Sequence, residues 1–147
     1  MAELQWALTC RDVIVAQGSN AATYRDSIEQ LEVSELPSIL PSIFVISTLW
    51  RREDYQTPES LRVRVVAESS NQDVLGETEP TSVDLEGNHL YRAHIPNPKI
   101  PISEEGVVNF IVQKETEEGW ESVKELPVRI SEVSSTVENL GANVIDS

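Results

Sequence analysis

Short blocks of Val, Ile, Thr, Phe and Trp recur along the chain with Gly, Pro, Asn and Asp between them. That is the pattern of strands and turns, and helical periodicity is scarce. Leu4 to Cys10 sets Leu4, Trp6 and Leu8 on one side against Gln5 and Thr9 on the other, as a half-buried strand does. Trp6 is then the expected core tryptophan, and Asp12 to Val15 continues the strand after a bend. Gly18, Ser19 and Asn20 signal a turn before a second strand over Ser27 to Val33. The two prolines of Leu36 to Pro41 predict an irregular crossing. Ser42 to Trp50 is apolar on both faces and reads as a central strand.

Leu61 to Ala67 is the cleanest alternation, with Leu61, Val63 and Val65 on one face and Arg62 and Arg64 on the other. After a turn at Asn71 to Asp73, short strands are expected over Val74 to Thr78, Ser82 to Leu85 and Leu90 to Ile95. Three prolines place Pro96 to Pro101 on the surface or at an edge. Val107 to Gln113 and Trp120 to Leu126 form a hairpin with Glu117 to Gly119 at its tip, and Val128 to Val133 closes the fold.

The expectation is therefore an all-β domain over residues 1–133, a two-layer antiparallel β-sandwich of immunoglobulin-like or C2-like type with about eight strands. A closed β-barrel is the alternative, since it uses similar strand patterning. Residues 134–147 hold too few apolar positions to define a packed element and are expected to be a flexible C-terminal tail, with a short docked helix as the other reading.

Charge and length narrow the classes. The 147 residues suit one domain that needs no disulfide or metal staple. A net charge of −14 sets up a field that repels phosphate backbones and anionic lipid surfaces, so neither nucleic acid nor a membrane is an expected partner. Arg51, Arg52, Arg62 and Arg64 are the only candidates for a local basic patch, and the simpler reading puts them on the outer face of a sheet. Cys10 is the single cysteine, which suits the reducing cytoplasm. The first ten residues lack a signal-peptide pattern, no apolar run is long enough to span a bilayer, and no Asn-Xaa-Ser/Thr acceptor occurs.

Candidate chemistry is sparse. His89 and His94 lie five apart in an extended segment and point to opposite faces, which separates them as metal ligands. Neither a nucleophile elbow nor a glycine-rich phosphate loop is present, and Cys10 diverges from Arg11 at strand parity and is expected in the core. Asp26, Asp54, Asp73 and Asp84 are isolated from one another, short of the ligand run that calcium needs. No catalytic, cofactor or metal residue is assigned. Trp50, Tyr55 and Trp120 lie near predicted turns and are the candidates for an interaction surface, or for the mouth of a barrel.

The opening ALTCRDVIVAQGSN and the later LPSILPSIFVI resemble an uncharacterised bacterial family of small cytoplasmic domains. Its members begin with a Leu-Cys-Asp-like block, turn at a glycine and carry a Leu-Pro pair before a hydrophobic strand. The literal matches are Ala7 to Val13 and Leu36 to Phe44, while Thr9, Arg11 and Ser19 depart from the pattern. The resemblance implies a β-sandwich and carries no catalytic residues. The functional expectation is a non-enzymatic protein-interaction or assembly module whose partner has a basic surface. A homo-oligomer formed at an open sheet edge is compatible with it. A small-ligand barrel or enzyme and a calcium-dependent sandwich are the alternatives.

Overall fold

The structure, a computed structural model, describes residues 2–15, 22–40, 45–51, 60–85, 90–96 and 99–133, with the strand path alone for 11–15 and 22–27. The described strands are β1 (Glu3–Val15), β2 (Ala22–Ser27), β3 (Gln30–Val33), β4 (Ser38–Leu40), β5 (Val45–Arg51) and β6 (Ser60–Glu68). They continue with β7 (Val74–Glu77), β8 (Thr81–Asp84), β9 (Leu90–Pro96), β10 (Ile100–Ile102), β11 (Gly106–Thr116) and β12 (Gly119–Glu132). No helix occurs among the described residues, so none is long and apolar enough to cross a membrane.

The strands form three sheets, ordered β2-β1-β5-β9, β3-β12-β11-β6-β7 with β8 also on β6, and β10-β4. None closes on itself, which removes the barrel alternative. All pairs are antiparallel except β12 with β3. The inner faces share one core, in which Ile46, Trp50 and Ile95 of the first sheet meet Val63, Val65, Phe110, Val112 and Ile130 of the second. Leu40, Ile100 and Ile102 of the small sheet complete it.

The element count exceeds the expected eight because several blocks divide. The second expected strand breaks at Ile28 and Glu29, where the chain leaves the first sheet and joins the second. Ile28 N–H donates to Thr9 O at 2.9 Å, and Arg129 N–H donates to Glu29 O at 2.9 Å, so these two residues tie the sheets together at one side. The Leu36 to Pro41 segment, expected to be irregular, contains β4, which pairs with β10 from the proline-rich stretch. In the opposite sense, the expected strands Trp120 to Leu126 and Val128 to Val133 merge into the single strand β12, Gly119–Glu132. Pro127 does not interrupt β12 because it sits on the side turned away from β11, where no donor is needed.

Two local features set which side chains face inward. The pairing of β1 with β5 shifts register between Leu4 and Trp6. That bulge keeps Leu4 and Ala7 against the core and turns Trp6 to the outer face with Leu49. The core tryptophan is Trp50, fully buried, and its indole N–H donates to Thr48 Oγ1 at 2.8 Å while Thr48 donates to Ala93 O at 3.1 Å. At the β11–β12 hairpin, Gly119 adopts φ of +121°, a value glycine accepts without strain, and Thr116 Oγ1 donates to Gly119 O at 2.9 Å. Residues 134–147, expected to form the tail, lie outside the described residues.

Candidate interaction groove

Among the described residues one polar cluster stands out, with Ser47 and Cys10 buried and His94 half-buried. On the outer face of the first sheet, Ser47 Oγ lies 3.2 Å from His94 Nδ1 and 3.7 Å from Cys10 Sγ, the three residues falling on adjacent strands β5, β9 and β1. Ser47 and Cys10 are both fully buried. Cys10 Sγ also reaches Val45 O at 3.8 Å, and the thiol behaves as a small core group. Burial, and then the neighbouring Arg92 charge, hold His94 below the ordinary histidine range. His89 lies outside the described residues. No group of three or more His, Cys, Asp or Glu side chains converges among the described residues.

Arg51, Arg62 and Arg64, three of the four candidates for a basic patch, are paired with local carboxylates. Arg51 pairs with Glu3 at 3.2 Å and Arg62 with Glu115 at 3.5 Å. Arg64 pairs with Glu77 at 3.2 Å, and its Nε donates to Gln113 Oε1 at 2.8 Å. The Arg64 guanidinium also lies over the Trp120 ring, 4.4 Å from its centroid. Trp120 is therefore half-buried on the outer face of the second sheet beneath a cation. Trp50, expected near a turn surface, is interior instead, because the β5 parity that buries Ile46 and Thr48 buries it too. Tyr55 and Arg52 lie outside the described residues, so no surface joining the three aromatic candidates is described.

A groove that single-strand patterning does not reveal opens at one side of the molecule, between β1 and β12. It encloses about 580 Å³. Ala7, Leu8, Ile28, Leu126 and Pro127 give it apolar walls, and Glu29, Lys124, Glu125 and Arg129 line it with charge. Its residues come from four separate stretches of the chain, β1, the Ile28–Glu29 crossing, the start of β11 and β12. Among the described residues, β2 covers β1 only from Cys10 onward and β3 covers β12 only from Arg129 onward, which leaves the groove open between them. No family model matches this chain, and no curated protein matches it.

The polar groups of the groove are the exposed Glu29, Lys124, Glu125 and Arg129 side chains and the buried Thr9 hydroxyl, which donates to Ile28 O.

Proposed function

We propose that this chain is a two-layer β-sandwich acting as a non-enzymatic protein-interaction module, with the β1–β12 groove as its docking site. The observation that carries the reading is the groove itself, an apolar trough with a charged rim, set against the complete burial of Cys10 and Ser47. The net charge of −14 draws in partners with a basic surface at long range and discourages nucleic acid and anionic membranes. A cytoplasmic setting suits the unpaired Cys10 thiol. The opening block is compatible with a place among the small bacterial domains it resembles.

The test is affinity capture from a bacterial lysate with the full chain and with Leu126→Glu, followed by salt elution and nuclease treatment. A specific protein retained by the wild type, lost with Leu126→Glu and resistant to nuclease supports the module. The absence of any specific protein, or retention only through nucleic acid, overturns it.

A further inference from the structure

We draw no further inference here: the strongest candidate, the uncharged trough between β4, β7 and β10 walled by Pro37, Ile39, Leu75, Pro101 and Ile102, is an unpartnered apolar face, and nothing in the structure shows what covers it.

Discussion

Gly76 of β7 lies so close to Ile100 of β10 that a Cβ added at Gly76 would sit 2.5 Å from Ile100 Cγ2. Gly76 does not need a positive φ; the contact alone demands glycine. The small β4–β10 sheet rests on the second sheet through this approach, which seats Ile100 and Ile102 in the core.

Gly76→Ala is therefore expected to lower stability by about 1–3 kcal/mol, the cost of forcing a methyl group into a packed site. Urea denaturation would show it as a lower midpoint with an unchanged slope. Gly76→Ala combined with Ile100→Ala makes the mechanism specific: the pair should be less destabilised than the sum of the two single changes, because each relieves the other. Strict additivity would mean that the two residues do not press on one another.

Thr48 and Trp50 make a second local unit. Thr48 Oγ1 accepts from the Trp50 indole and donates to Ala93 O inside the core. Thr48→Val conserves shape and leaves the indole N–H and the Ala93 carbonyl without that partner, so a loss of about 2–3 kcal/mol is expected from unsatisfied buried groups. Near-ultraviolet circular dichroism and tryptophan emission report on Trp50 directly. A variant as stable as the wild type would show that the indole finds another acceptor.

Much of the fold was legible in the chain, and the exceptions share one cause. Leu61 to Ala67 alternates because one face of β6 is buried and the other solvated, and Val63 and Val65 lie in the core as that alternation requires. The hairpin tip at Glu117 to Gly119 was legible for the same local reason. The inward side of β1 was not. Alternation from Leu4 carries Trp6 inward, but the bulge between Leu4 and Trp6 exchanges the faces, and a bulge is set by pairing with β5 rather than by β1 alone. Trp50 was misplaced for a related reason: closeness to a turn in sequence says nothing about which face a residue shows. The groove is the extreme case, since Ala7, Ile28 and Leu126 meet only because the chain changes sheet at Ile28 and Glu29.

Arg64 and Trp120 are expected to be coupled. The guanidinium lies over the ring on a partly exposed face, a geometry worth about 0.5–1 kcal/mol. A double-mutant cycle of Arg64→Ala and Trp120→Ala, measured by denaturation, should return a favourable coupling of that size. Arg64 also contacts Glu77 and Gln113, so Arg64→Ala alone should cost more than the coupling. A coupling indistinguishable from zero would mean that the ring and the cation are neighbours without mutual stabilisation.

His94 gives the chain a defined response to acid. Its protonation is disfavoured in the folded state, first by burial and then by the Arg92 charge, while in the unfolded chain it has the ordinary value of 6.5. Between the lowered folded value and 6.5 the unfolded chain binds more protons, so stability rises with pH across that window. Above 6.5 the ring is neutral in both states and contributes nothing. As pH falls through 6.5 the unfolded state gains a proton that the folded state resists, and the loss levels off once the pH is below the folded value. The expected outcome is a wild-type urea midpoint that drops on acidification below 6.5 more steeply than that of His94→Gln. The difference between the two curves isolates His94 from His89 and from the carboxylates, which titrate alike in both proteins. Parallel curves from pH 8 to pH 5 would show that the folded protein holds the protonated ring as readily as water does.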